Sequence, residues 1–194
     1  ATDDFIVTGG SDSTVTVIAR GTSSTNFSVP LYGSEVSSLW ISNEFGLVAV
    51  ALRTEKVVCI PLLKGTVTSV VSVNDNVHLV AVTPSWGFLM VATSSISKEG
   101  KISVYHLNGG DPIGEIGGVE VPVGWDVWSS ADGFDYVAYY DETGSVYVSE
   151  VFFIWRRQRV FKSRSRVVGL SYLEADGMVC VVDEGGRVSF VDVR

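Results

Sequence analysis

Four stretches decide how this chain folds: Asn43-Glu44-Phe45-Gly46, Pro84-Ser85-Trp86-Gly87, Ala131-Asp132-Gly133 and Ala175-Asp176-Gly177. Each is a short polar segment ending in glycine, and each runs into an apolar stretch, at 47–52, 88–92, 134–140 and 178–182. The glycines lie 41, 46 and 44 residues apart. Glycine there supplies the positive φ that a tight turn between antiparallel strands requires. Apolar runs of this length fit strands covered on both faces.

Working outward, each apolar run ends in a second turn. These turns are Ser11-Asp12-Ser13, Arg53-Thr54-Glu55, Lys98-Glu99-Gly100, Asp141-Glu142-Thr143-Gly144 and Asp183-Glu184-Gly185-Gly186. An alternating strand follows in every copy: Val15/Val17, Val57/Cys59, Ile102/Val104, Val146/Val148 and Val188/Phe190. Outer strands are expected near 25–31, 66–73, 111–120 and 157–165. The first copy, at 5–8, has no strand before it. No long segment carries a helical period. Four short strands per unit of about 43 residues is the pattern of a propeller blade, each blade stacked on its neighbours. Residues 35–156 are expected to form three successive four-stranded sheets.

Composition fits this reading. The 194 residues suffice for one domain with a core. Mean hydropathy is +0.30, yet no apolar run approaches the ~18–20 residues of a membrane span. Net charge is −8, which disfavours non-specific nucleic-acid binding. Cys59 and Cys180 sit in apolar strand patterns and read as small core residues in a reducing, cytoplasmic setting, without disulfide or metal.

On these turns and periods the sequence resembles the WD40-repeat family. Its Ala-Asp-Gly turns look like that family's turn between first and second strands, and 141–144 and 183–186 look like its Asp-Gly turn before the third. The Trp-Asp pair that closes the family's third strand would fall at Ile18-Ala19, Ile60-Pro61, Tyr105-His106, Ser149-Glu150 and Val191-Asp192, and no Trp stands there. The literal Trp125-Asp126 lies in a first strand. Without the family's hydrogen-bond tetrad, blade stability is expected to rest on packing. The stretch Lys101-Ile-Ser-Val-Tyr-His-Leu-Asn-Gly-Gly further resembles the C-terminal propeller of BEACH-domain proteins, the neurobeachin and beige group. That resemblance implies a scaffold in intracellular membrane and vesicle traffic, cytoplasmic or peripheral to membranes.

The fold class expected is therefore all-β, a partial WD40-type propeller. Its blade units fall at about 1–34 (incomplete), 35–74, 75–120, 121–165 and 166–194 (incomplete). Counted against a seven-bladed ring, about ten strands are missing; a compact five-bladed ring is the rival. An open arc would expose terminal faces built from Phe5, Val7, Val15 and Val17 at one end and Val179, Val181, Val188 and Phe190 at the other. Self-association through those ends is expected.

Catalytic signals are weak. No HExxH, GxSxG, Walker-type or paired-cysteine motif is present, and no enzyme activity or cofactor is expected. His78 and His106 read as structural. Asp141, Glu142, Asp183 and Glu184 read as solvated hairpin tips rather than a cation site. An enzyme propeller, such as a glycosidase or lactonase, would instead need acids converging at the channel mouth, and a WD40 adaptor of another complex is a further alternative. Among Trp125, Trp128, Tyr136, Tyr139 and Tyr140, most are expected in the core, with one or two at a surface.

The stretch least explained by folding is 155–166, Trp-Arg-Arg-Gln-Arg-Val-Phe-Lys-Ser-Arg-Ser-Arg. Arg156, Arg157, Arg159, Lys162, Arg164 and Arg166 are six of the chain's fourteen cations; the segment carries +6 and leaves −14 elsewhere. It is placed on a blade's outermost strand and the turn beyond. One role is charge protection of a sheet edge. The other is a docking stripe for an acidic protein partner or anionic lipid headgroups; nucleic acid is disfavoured by the overall acidity.

Overall fold

The computed structural model describes residues 4–20, 25–31, 34–53, 56–96 and 99–193. The strands form five antiparallel sheets in chain order. The first holds β1 (Phe5–Gly9), β2 (Thr14–Ala19) and β3 (Thr25–Pro30). The second holds β4 (Val36–Ser42), β5 (Leu47–Leu52), β6 (Lys56–Pro61) and β7 (Ser69–Ser72). The third holds β8 (Asn76–Val82), β9 (Phe88–Ser94), β10 (Gly100–His106) and β11 (Gly114–Val119). The fourth holds β12 (Pro122–Ser129), β13 (Asp135–Asp141), β14 (Ser145–Glu150) and β15 (Gln158–Lys162), and the fifth β16 (Val167–Leu173), β17 (Met178–Asp183) and β18 (Val188–Asp192). The third four-stranded sheet thus ends at Lys162, not 156, because a broken 3-10 helix, Val151–Arg156, precedes its last strand.

Within each sheet, strands pair with their sequence neighbours, as hairpin connections dictate. Gly46, Gly87, Gly133 and Gly177 all adopt positive φ, between 60° and 83°. Their turns share one rim with the links between third and fourth strands, because alternate connections of a meander fall on the same side. The expected turns at Arg53-Thr54-Glu55 and Lys98-Glu99-Gly100 fall partly outside the described residues.

Each sheet stacks on the next, and the chain has four cores, one per interface. Val15, Val17, Val48 and Ile60 fill the first; Ala49, Val57, Leu89 and Val91 the second. Met90, Ile102, Val137 and Tyr139 fill the third, and Tyr140, Val146, Val179 and Val181 the fourth. The pleat explains the pattern: in β5, Val48 and Val50 face the first sheet while Ala49 and Ala51 face the third. First strands approach across the interfaces, β4 to β8, β8 to β12 and β12 to β16. They mark the inner side of the arc. Among the described residues no contact of similar extent joins the fifth sheet to the first.

Packing is not the whole of blade-to-blade adhesion, and here the sequence expectation is corrected. Asp135 is buried and accepts hydrogen bonds from the backbone N–H groups of Ser85 and Trp86, both at 3.0 Å, across the third interface. Asp126 Oδ2 accepts from the N–H of Tyr172 (2.8 Å) and the hydroxyl of Ser171 (3.2 Å) across the fourth. The Ser37 hydroxyl donates to the Val77 carbonyl, 3.1 Å away, across the second. These carboxylate and hydroxyl bridges sit on first and second strands, away from the third-strand ends where the Trp-Asp pairs would fall.

The terminal faces also differ from expectation. Val15, Val17, Val179 and Val181 are buried against neighbouring sheets, and Phe5 and Val7 are partly buried there. The outward face of the first sheet is mostly polar: Thr8 pairs with Thr16, and Thr16 with Ser28, flanked by the pair Ile6 and Ile18. The outward face of the fifth carries Val182, Cys180, Val188 and Phe190, the last two 52% and 61% exposed. Only one end is therefore strongly apolar.

Candidate interaction surfaces

The basic segment divides by position and by partner. Trp155 and Arg156 lie in the 3-10 helix rather than the strand, on the rim of the glycine turns. Arg156 stands over the Phe153 ring at 4.9 Å. Arg157 is half-buried: its guanidinium donates to the hydroxyl of fully buried Tyr139 at 2.8 Å and lies 4.7 Å from the Tyr147 ring centre. Arg159 is exposed on β15. Lys162 donates to the Thr143 carbonyl (2.6 Å), the Thr143 hydroxyl (2.8 Å) and the Ser145 hydroxyl (3.1 Å), tying β15 to the turn before β14. Arg164 and Arg166 are exposed in the link to β16, on the opposite rim. Neither of the two ion pairs among the described residues, Arg53–Glu35 and Lys101–Glu115, involves this segment. Five of the six cations thus face solvent, Lys162 among them, while Arg157 and Lys162 are tied to the fold by hydrogen bonds.

Arg157 and Tyr139 also set a pH response. Burial pushes the Tyr139 hydroxyl up from its usual value, and the Arg157 hydrogen bond and charge pull the other way. Tyr136 and Tyr140 are raised by burial as well. A raised folded-state pKa means stability that is fully present below the unfolded value, near 10, and lost as pH rises through the folded one. We expect the urea midpoint to fall between pH 9 and pH 11. Tyr139→Phe should show a shallower fall on this alkaline limb. An equal slope in both proteins would show that Tyr139 does not carry the effect.

The turn acids are corrected. Asp141 and Asp183 are buried, not solvated. Asp141 Oδ1 accepts from the N–H of Ser145 (3.0 Å) and the hydroxyl of Thr143 (2.6 Å). Asp183 Oδ1 accepts from the N–H groups of Gly185 and Arg187, each at 3.0 Å. Both carboxylates cap the turn they begin, as Asp does in an Asx-turn. Glu142 and Glu184 are exposed. His78 pairs with the Ser94 hydroxyl at 2.5 Å on the solvent side of β8, and His106 ends β10 against Phe88. Both cysteines are free; Cys59 is buried and Cys180 half-buried. Among the described residues, no group of three or more His, Cys, Asp or Glu is placed to hold a metal ion.

Sequence reasoning expected most of Trp125, Trp128, Tyr136, Tyr139 and Tyr140 in the core without saying which; Trp128, Tyr139 and Tyr140 are buried, and Trp125 and Tyr136 partly buried. It missed the aromatics that reach solvent. Phe45, Trp86 and Phe134 stand beside the turn glycines of three successive blades, and Phe152 and Trp155 project from the 3-10 helix on the same rim. Trp86 stacks on Phe88, which meets Phe152 edge-on at 5.5 Å. For the first three the signal was the aromatic next to Gly46, Gly87 and Gly133, where a tight turn has no room to bury it.

Five stacked antiparallel sheets with inner first strands define a β-propeller of the WD40 architecture. The chain is similar in structure to the computationally designed Ika8 protein (TM-score 0.76, 17% identity, all of this chain on 57% of that one). It is similar to the WD40 β-propeller domain of Doa1 (TM-score 0.76, 14% identity, 100% of this chain on 62% of that one). It is also similar to the β-propeller domain of Myceliophteria thermophila Cps50 (Swd1) (TM-score 0.67, 15% identity, 94% on 59%). The chain spans about three-fifths of the length of each of these proteins. No family model and no curated protein sequence matches it. At these identities the likeness speaks to the fold.

Proposed function

We propose that this chain is a non-catalytic protein-interaction scaffold, part of a BEACH-type propeller acting at membranes and vesicles inside the cell. It docks an acidic protein partner or an anionic membrane surface through the basic outer edge of its fourth sheet. The observation that carries the docking is the set of exposed cations, Arg156, Arg159, Arg164 and Arg166, outside both ion pairs of the described residues. The propeller neighbours support a binding scaffold, and the Lys101–Gly110 stretch supports the BEACH-type parent.

The edge test must avoid the two structural cations. Reversing Arg159, Arg164 and Arg166 together to glutamate should weaken binding to phosphatidylserine vesicles, or to polyglutamate, by about a hundredfold at low salt. That follows from roughly 1 kcal/mol per cation near a charged surface. The melting temperature should hold. Arg157→Glu should lower it, because it strands a buried tyrosine hydroxyl, and Lys162→Glu should lower it less, because the Thr143 carbonyl it leaves is exposed to water. Binding should weaken with salt over a Debye length of about 8–10 Å. Salt-insensitive binding, or none in the unmutated chain, returns the edge to a shielding role.

A further inference from the structure

A trough crosses the glycine-turn rim between the fourth and fifth sheets. Its inner part is a cavity of about 880 Å³, walled by Trp128, Tyr136 and Tyr172 and overhung by turns that carry Asp132, Glu174 and Asp176. Its outer part, about 450 Å³, passes Val148, Val160 and Glu150 and ends at Arg156. Tyr136 and Val193 line both parts, so the two are continuous. The Trp128 ring stacks on Tyr172 at 4.2 Å and on Tyr136 at 5.9 Å, giving the inner wall a flat aromatic surface.

The charge in this trough is unbalanced. Asp132, Glu174 and Asp176 are exposed, and neither ion pair of the described residues involves them. Asp132 accepts a hydrogen bond from the Ser130 hydroxyl. Glu150 Oε1 is shielded from water and has no hydrogen-bond partner among the described residues, a rare state for a buried acceptor. With Asp192, which lines the outer part, five carboxylates thus face one guanidinium, Arg156, which is already set over Phe153.

We propose that this trough binds an extended basic peptide segment of a partner protein. The stems of its lysine or arginine side chains lie on the Tyr-Trp wall, and their charged heads lie among Asp132, Glu174 and Asp176. Basic side chains suit such a site because they join an apolar stem to a cation and because aromatic faces attract cations. A further N–H or ammonium donor reaches Glu150 Oε1. Nucleic acid and anionic membranes are repelled by the same carboxylates. A neutral apolar peptide would cover the wall but leave the acids without a counter-charge. The inference extends the scaffold reading and uses a surface that meets the basic edge only at its outer end, at Arg156, Gln158 and Val160.

The test is fluorescence anisotropy at physiological salt with a labelled Gly-Leu-Arg-Leu-Lys-Gly-Arg peptide and a counterpart carrying Glu at each basic position. The basic peptide is expected to bind and the acidic one not. The variant D132N/E174Q/D176N should weaken binding about tenfold, since each solvated pair is worth a few tenths to 1 kcal/mol. Neutralising Asp75, Asp111 and Glu120, away from the trough, should leave it unchanged. Arg159→Glu should also leave it unchanged, which separates this site from the basic edge. The altered acids lie outside both ion pairs, so the melt should hold; if D132N disturbs its turn, E174Q/D176N alone serves. Equal losses from trough and remote neutralisation would reduce the binding to general acidity and overturn the proposal. So would no binding of the basic peptide by the unmutated chain.

Discussion

Asp135→Ala is expected to destabilise the chain by about 3 kcal/mol, from two or more charge-assisted hydrogen bonds worth about 1.5–3 kcal/mol each before relaxation. Asp135 is 3% exposed. Its Oδ1 takes the Ser85 N–H at 3.0 Å and the Ser129 hydroxyl at 2.6 Å, and its Oδ2 takes the Trp86 N–H at 3.0 Å. The Ser85 hydroxyl closes the network on Ser129 at 2.6 Å. Alanine removes every acceptor and leaves two N–H groups of the neighbouring blade's turn unpaired. A chain of this size should lose roughly 6–12 °C in melting temperature. Asp135→Asn keeps one acceptor and should cost clearly less. A loss under about 1 kcal/mol in urea titration would mean that water replaces the carboxylate, and that the blades are held by packing alone.

The second large effect separates two glycines that look alike in sequence. Gly46 has φ 60° and open space where a Cβ would stand. Gly87 has φ 65°, and its Cβ would lie 2.7 Å from the Phe45 ring of the preceding blade. Gly46→Ala should cost about 1–2 kcal/mol, the left-handed backbone penalty alone. Gly87→Ala should cost about twice that, because an aromatic side chain must also move. The double change Gly87→Ala with Phe45→Ala isolates the collision, since a coupling energy appears only if the two residues meet. Zero coupling would show that the backbone conformation accounts for the whole loss.

The two glycines illustrate where sequence reading ran out. The positive φ at both was legible, because a glycine between a turn and an apolar run every 41–46 residues has one economical explanation. That Phe45 leans on Gly87 was not, because the contact joins residues of different blades. The same holds for Arg157 and Lys162. As members of a run of six cations they look interchangeable with Arg159 and Arg164. Only the packed fold shows that one reaches a buried tyrosine and the other a turn carbonyl.

The sequence by itself determined the class of fold. Period-two apolar patterning, turn glycines and a repeat of about 43 residues are local properties, and together they leave stacked four-stranded sheets as the solution. It also marked the basic segment, because charge composition needs no geometry. The tertiary structure alone decided which acids are buried, which carboxylates bridge blades, and which aromatics meet solvent. It alone brought Tyr136, Tyr172, Asp132 and Glu174 together along one trough. Those outcomes depend on register and on the contact between one sheet and the next. The bridges and the trough couple residues about forty positions apart, which no pattern within a single strand encodes. The caps reach only two to four residues, and their burial is what the stacked sheets decide.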